Sequence, residues 1–335
     1  MSLNILKPGL LTTVQDTGRF GYRKDGIIVS GAMDNLALRI ANLLVGNPES
    51  AATLEITLTG PEILFEADYL VALTGANLNP SINGEPVKMW RPVLIKKGSR
   101  LNFGKTSAGC RTYLGVSGSF DIPKILGSYS TYLRAGIGGL HGKALQAGDS
   151  LAGNQPTALV EKLSKKLDKR AQATGFGEAP WTLTPFFYPE LSRHPIIRAI
   201  KGPEFGWFAP DAQNAFWEEP FSVTPQSDRM GYRLQGPELL QLNTKELLST
   251  GVTFGTVQVP AQGNPLLLMA DHQTTGGYPR LAQVITADFS GLAQVRPGEF
   301  IRFKEISLPE AQHLLITQEK RIAQLKQLLR LKFNF

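Results

Sequence analysis

Residues 53–75, TLEITLTGPEILFEADYLVALTG, decide the fold. Leu54, Ile56 and Leu58 alternate with Thr53, Glu55 and Thr57, and a period of two belongs to a strand. Gly60-Pro61 ends this run, a second run occupies 62–65, and a third fills 69–74 before Gly75. Working outward, the pattern recurs over 93–96, 100–103 and 111–116, with Asn83-Gly84 and Lys97-Gly98 as turns. Closely spaced short strands predict a β-barrel or sandwich. Glu55, mid-strand among apolar neighbours, is expected either to face outward or to be a placed carboxylate.

A helical period appears twice. Asp34 is an N-cap for Leu36, Ile40, Leu43 and Leu44, and Gly46-Asn47-Pro48 stops that helix. The second helix starts at a Ser307/Glu310 capping box. Its apolar face is Leu314, Leu315, Ile322, Leu325, Leu328 and Leu329, and basic residues gather toward its C-terminal end. It is expected to pack on its own domain. Residues 153–180 break the strand pattern with Lys162, Lys165, Lys166, Lys169 and Arg170 and read as a linker or insertion. The expected organisation is a first β-domain over 1–155, a basic linker or insertion over 156–192, a second β-domain over 193–306 and a C-terminal helix over 307–335. Short repeats, in a different order in the two halves, suggest two related domains with an exchanged or permuted segment. Asp228-Arg229-Met230-Gly231-Tyr232-Arg233 echoes Gly18-Arg19-Phe20-Gly21-Tyr22-Arg23, and Lys201-Gly202-Pro203-Glu204 echoes Thr59-Gly60-Pro61-Glu62.

Composition narrows the function. The 335 residues carry 42% hydrophobic and 19% charged side chains, enough for sizeable cores. The single cysteine, Cys110, excludes an internal disulfide and reads as a buried core thiol. The opening MSLNILKPGLL lacks the apolar core of an export signal, and no apolar run reaches the roughly 18 residues a membrane span needs. A cytoplasmic location without membrane association is expected. The net charge of +7 lacks the aromatic interleaving of a nucleic-acid groove, so no nucleic-acid partner is expected. His141 has no second His or Cys nearby, and no metal site is expected. Residues 98–106, GSRLNFGKT, have the wrong glycine spacing for a phosphate loop and are not followed by a helix pattern.

Candidate chemistry gathers at three places. Residues 266–278, LLLMADHQTTGGY, end a buried strand on Asp271, His272, Gln273, Thr274 and Thr275. Gly276-Gly277 would allow positive φ and a close approach of the backbone to a ligand. Ser128, Ser130 and Thr131 lie in a long glycine- and hydroxyl-rich loop suited to a carboxylate or phosphate. The two Arg-x-Gly-Tyr-Arg turns supply arginines whose forks bind two oxygens at once.

Together VQDTGRFGY (14–22), SGAMD (30–34), LEITLTGP (54–61), the Gly-Ser-x-Ser-Thr run at 127–131, SDRMGYRL (227–234) and MADHQTTGGYP (269–279) resemble the allophanate hydrolase subunit 2 family. This family, also called KipA-like or biotin-dependent carboxyltransferase, includes the C subunit of bacterial 5-oxoprolinase. The likeness spans residues 3–305. It implies a mainly β fold of two tandem cyclophilin-like β-barrel domains with a few helices. It implies two partner chains, a KipI-like B subunit and a LamB/YcsF-like A subunit, and ATP used at the level of the complex. The leading expectation is ATP-dependent opening of 5-oxoproline, a small amide, to glutamate, the chain being inactive alone. Alternatives are biotin-dependent carboxyl transfer to a urea-like amide, or a KipA-like regulator of a KipI-like kinase inhibitor. Val87-Lys88-Met89 is no biotinylation segment, so any biotin must come from another protein. The expected catalytic residues are Asp271, Arg229 and Arg19. Arg233, Gln273, Thr274, Thr275, Gly276, Gly277, Ser128, Ser130 and Thr131 are expected to bind substrate. The departures at Ser117–Phe120, Tyr129 and Lys143 bear on anion binding, since Lys cannot reproduce the bidentate fork of Arg.

Overall fold

A computed structural model describes residues 2–106, 108–156, 158–242 and 247–333. It divides into two compact units, each discontinuous in sequence. The first comprises Met1–Arg19, Asp34–Pro189 and Arg321–Phe335; the second comprises Phe20–Met33 and Glu190–Lys320. The contiguous boundaries expected from composition therefore do not describe the units. Residues 20–33 leave the first unit for the second, and the C-terminal helix is divided at residue 320.

The first unit contains β1 (Ser2–Lys7), β2 (Leu11–Gln15), β3 (Thr53–Thr57), β4 (Glu62–Phe65), β5 (Tyr69–Gly75), β6 (Ser81–Ile82), β7 (Glu85–Pro86), β8 (Pro92–Ile95), β9 (Arg100–Asn102), β10 (Arg111–Val116), β11 (Ser150–Ala152) and β12 (Phe176–Glu178). They form two antiparallel six-stranded sheets, ordered β11-β1-β4-β9-β6-β7 and β12-β8-β5-β10-β3-β2. Helix α1 (Asn35–Leu44) lies on the second sheet, and Asp34 caps it by accepting a hydrogen bond from the Ala37 amide at 2.9 Å. Strands β5 and β10 are buried along their whole length, because a core covers one face and α1 the other. Gly115 on β10 lets α1 approach: a Cβ there would sit 2.9 Å from the Ala41 backbone.

Glu55 does not face outward. It is buried, and its Oε2 accepts a hydrogen bond from Tyr113 Oη at 2.7 Å. Tyr113 Oη in turn accepts from the Asp34 amide at 2.8 Å. Burial first, then the Glu55 and Asp34 charges, push the Tyr113 hydroxyl well above its usual pKa, so it stays a donor. Cys110 is buried, as its alternating apolar context predicts.

The stretch expected to be a linker is structured. Residues Ala158–Thr174 form α2, and β12 pairs with β8. Val160, Leu167 and Ala171 pack with Leu70 and Leu94, and Leu163 packs against the same cluster. The apolar spacing 160, 163, 167, 171 is helical. It was hidden among lysines that occupy the solvent face.

The second unit contains β13 (Ile196–Lys201), β14 (Phe221–Val223), β15 (Gly231–Gln235), β16 (Thr250–Gly251), β17 (Thr256–Gln258), β18 (Leu266–Leu268), β19 (Thr275–Gly276), β20 (Arg280–Val284) and β21 (Phe300–Glu305). Seven of these close a barrel, β13-β20-β17-β18-β15-β14-β21, sealed by the parallel pairing of β13 with β21. Helix α3 (Pro210–Glu218) places Phe216 in the core, where it stacks on Phe303 at 4.5 Å between ring centroids. A short α4 (Phe289–Ala293) and a long α5 (Leu308–Phe333) follow. The capping box is formed: Glu310 Oε2 accepts from the Ser307 amide at 2.8 Å and from Ser307 Oγ at 2.7 Å. Residues 334 and 335 of the expected helix lie outside the described residues. On α5, Ile322, Leu325, Leu329 and Phe333 are buried, whereas Leu328, expected on the apolar face, is 46% exposed. The fold is thus mainly β in two β units with a C-terminal helix, and the barrel closes in the second unit.

Because α2 is packed, Leu167→Ala should destabilise the first unit by about 2–5 kcal/mol through lost burial and a residual cavity. Urea unfolding checks this, and an unchanged midpoint would mean that the helix is not part of the core.

Candidate active site

Strand β18 ends at Leu268, but the chain continues beside the turn that precedes β15. The Met269 amide donates to Met230 O at 3.0 Å, and the Asp271 amide donates to Arg229 O at 2.7 Å. Asp228 fixes that turn, its Oδ1 accepting from the Met230 and Gly231 amides at 2.8 and 3.2 Å. Arg229 and Asp271 are thereby set opposite one another by backbone alone.

Their side chains complete the match. Arg229 Nε donates to Asp271 Oδ2 at 2.9 Å and Nη2 to Oδ1 at 3.1 Å, a bidentate fork. Arg229 is 6% and Asp271 4% exposed, so the ion pair is buried. Residues 30 and 31, from the transferred segment, add two more bonds. Ser30 Oγ donates to Asp271 Oδ1 at 2.7 Å, and Gly31 O accepts from Arg229 Nη2 at 2.6 Å. Both residues have positive φ, 56° at Ser30 and 91° at Gly31. For Ser30 that conformation is strained, and such strain persists where surrounding contacts over-determine it.

His272 follows Asp271 and is also buried. Its Nδ1 lies 2.6 Å from Gln273 O, and since a carbonyl only accepts, Nδ1 carries the proton. Burial first, then the Arg23 charge, lower the His272 pKa below 6.5, against opposing contributions from the Gln273 carbonyl and Asp271. Arg23 donates from Nη2 to Val252 O and to Thr274 O. The outer part of the loop opens progressively, with Gln273 and Thr274 half-buried and Thr275 exposed.

The expected residues separate. Asp271, Arg229, Gln273, Thr274, Thr275, Gly276 and Gly277 lie together in the second unit. Arg233 does not join Arg229. On β15 it alternates with the core residue Tyr232 and is exposed, so the side chain leaves the barrel on the other face. Gly276 and Gly277 do not use positive φ. A Cβ at Gly276 would meet Gln258 Nε2 at 2.6 Å, so that side-chain amide would have to shift. The two Arg-x-Gly-Tyr-Arg echoes also differ in structure: the second enters strand β15, and the first leads into a 3-10 turn at Arg23–Asp25.

Arg19, Ser128, Ser130 and Thr131 belong to the first unit, around a carboxylate outside the expected site residues, Asp16. Its Oδ1 accepts from the Gly18 amide and the Ser128 and Ser130 hydroxyls at 2.8, 2.7 and 2.5 Å, and its Oδ2 accepts from the Tyr129 amide at 2.8 Å. Arg19 is fully buried and donates to Ile125 O at 3.0 Å and Ser130 O at 2.9 Å. Thr131 Oγ1 donates to Val14 O at 2.9 Å. These contacts lock the loop to β2 and its following turn. His272 and Asp16 were each legible: one adjoins Asp271, the other lies in the glycine-punctuated turn. Among the described residues no group of His, Cys, Asp or Glu is arranged to hold a metal, and no helix is long and apolar enough to cross a membrane.

A β-barrel carrying a buried Arg–Asp pair and a neutral histidine at one strand end is an enzyme-like scaffold. The chain belongs to the family of the carboxyltransferase domain, subdomain A and B, which matches residues 25–305. It is 42% identical over 323 residues to the C subunit of 5-oxoprolinase from Escherichia coli K12, covering 96% of this chain and 97% of that one. It is 39% identical over 327 residues to the C subunit of 5-oxoprolinase from Haemophilus influenzae, covering 98% of each. The solved structure of the K. lactis urea amidolyase superposes with a TM-score of 0.86 at 29% identity, over 97% of this chain and 20% of that chain. This chain thus spans about a fifth of that larger protein.

Two measurements test the site. Asp271→Ala, which breaks a buried bidentate ion pair, should cost about 3–5 kcal/mol of stability, read by thermal or urea unfolding. For His272 the sign follows from a folded pKa below the unfolded 6.5. Below that value the unfolded chain binds more protons, so stability is full above pH 6.5 and falls as pH drops through the folded value. His272→Asn should flatten that part of the stability–pH curve relative to the unsubstituted chain.

Proposed function

We propose that this chain acts as the C subunit of an ATP-dependent 5-oxoprolinase, a complex that hydrolyses the lactam of 5-oxoproline to glutamate. One observation carries the reading: end-to-end similarity to two proteins of that name, at 42% and 39% identity, with no large region of either chain left unmatched. The partners are then a KipI-like B subunit and a LamB/YcsF-like A subunit. ATP is consumed by the complex as a whole, and the location is the cytoplasm.

Within this reading, lactam opening needs the carbonyl oxygen activated and the amide N–H handled. A preorganised, dry arrangement of fixed charges supports both without reorganising during the reaction. Asp271 and Arg229 supply the fixed frame, and Gln273, Thr274 and Thr275 line the opening toward solvent. Arg19, Ser128, Ser130 and Thr131 hold the first unit's loop, so their part is to position it rather than to meet an anion. Arg233, exposed on the barrel wall, is left to partner contact.

A second reading is carboxyl transfer to a urea-like amide, favoured by the family match and the fold shared with the K. lactis urea amidolyase. Biotin would then arrive on another protein. Co-expression with the KipI-like and LamB/YcsF-like proteins decides between them. ATP-dependent glutamate formation from 5-oxoproline should appear with all three chains and vanish when this one is omitted. A stable complex that forms no glutamate would overturn the reading in favour of carboxyl transfer.

A further inference from the structure

We infer that His272, through Nε2, is the general base that takes the amide proton of the substrate, a role that rests on the lactam reading above. Asp271 is the obvious base in the sequence, but its geometry withholds it. Oδ1 accepts from Ser30 Oγ and Arg229 Nη2, and Oδ2 accepts from Arg229 Nε. A carboxylate clamped on both oxygens by a guanidinium and a hydroxyl is a positioning group, since taking a proton would break the bidentate fork.

His272 is placed in the opposite way. The Gln273 carbonyl, 2.6 Å from Nδ1, fixes the tautomer and leaves the Nε2 lone pair available. Nε2 makes no hydrogen bond among the described residues. The His272 amide donates to Met269 O at 3.1 Å, which holds the backbone of the residue in its turn. Two charges act on the ring, Arg23 disfavouring the imidazolium and Asp271 favouring it. The base is therefore neutral when substrate arrives, and once protonated it has a carboxylate nearby. The other histidines, His141, His194 and His313, are exposed and lack this frame.

In the step itself, the amide N–H bond breaks and its proton passes to Nε2. The electron pair left on nitrogen forms the C=N bond, and the carbonyl π pair moves onto oxygen. That oxygen bonds to the terminal phosphorus of the nucleoside triphosphate, whose bridging P–O bond breaks to release the diphosphate. Nδ1–H still donates to Gln273 O throughout, so the loop need not move.

The test uses the three-chain complex carrying His272→Asn, whose side-chain amide can still donate to Gln273 O while lacking a base. Near-UV circular dichroism and complex formation by size exclusion verify the fold. The expected results are a loss of kcat of about 10²–10⁴-fold with KM for 5-oxoproline within about threefold, and disappearance of the acid limb of the kcat/KM–pH profile. Added imidazole should restore activity to the folded His272→Ala complex. A folded His272→Asn complex within about threefold of the unsubstituted kcat, or an unchanged acid limb, would overturn the inference. As an activity-independent check, ¹⁵N NMR of the chain alone should show Nδ1 protonated and a midpoint below 6.5; an Nε2–H tautomer would overturn it. An unsubstituted complex that opens no lactam would instead sink the functional reading itself.

Discussion

The buried pairing of Arg229 with Asp271 is the constraint on which the candidate site depends. Both side chains are buried, and breaking such a pair costs far more than an exposed ion pair contributes. The site also joins parts of the chain about 240 positions apart. Residues 30 and 31 contribute a hydroxyl to Asp271 and a carbonyl to Arg229. This gives a physical reason for residues 20–33 to join the second unit: they add hydrogen bonds to both members of a buried ion pair.

The first unit solves a similar problem around Asp16. Four donors, two backbone amides and two serine hydroxyls, meet that carboxylate. Arg19 points two of its nitrogens at carbonyls of the same loop. In both units a glycine-containing turn supplies the geometry and a buried charge fixes it. Hydrogen bonds to ionised groups are stronger than neutral ones, about 1.5–3 kcal/mol each. A loop as long as residues 117–149 can therefore be held by a few of them without a large apolar core of its own.

The strands were legible because burial on one or two faces writes itself directly as alternation or as a continuous apolar run. Residues 62–65 and 111–116 match β4 and β10 from end to end. The caps at Asp34 and Ser307 were legible because a cap is a local bond between near neighbours. Helix α2 was not, because five basic residues dominated a window in which its apolar residues are a minority. An exchanged segment was legible in the order of the repeated motifs, but its bounds, 20–33, were not, because nothing local distinguishes a segment that pairs with its own unit from one that pairs elsewhere. Arg233 was misplaced for a related reason. The match of its motif to the earlier turn suggested equivalence, yet position on a strand, two residues past the turn and one past Tyr232, decides which face it takes. At Gly276 the backbone stays out of the positive-φ region, and the Gln258 side-chain amide packs close to where a Cβ would stand.

Asp271 and His272 show why a site can be found in a sequence before its roles can be assigned. They are adjacent, both titratable and both buried, and residue type alone favours either as a base. What separates them is the partner each meets. Asp271 faces a guanidinium, which occupies both of its oxygens. His272 faces a backbone carbonyl, which consumes a proton-bearing nitrogen and leaves the other nitrogen's lone pair unshared. Those partners come from residues 229 and 30 in one case and from the next peptide in the other, so only the folded chain distinguishes them. Two neighbouring side chains with such different partners let one short loop supply both a clamped positioning group and a free lone pair on a ring nitrogen.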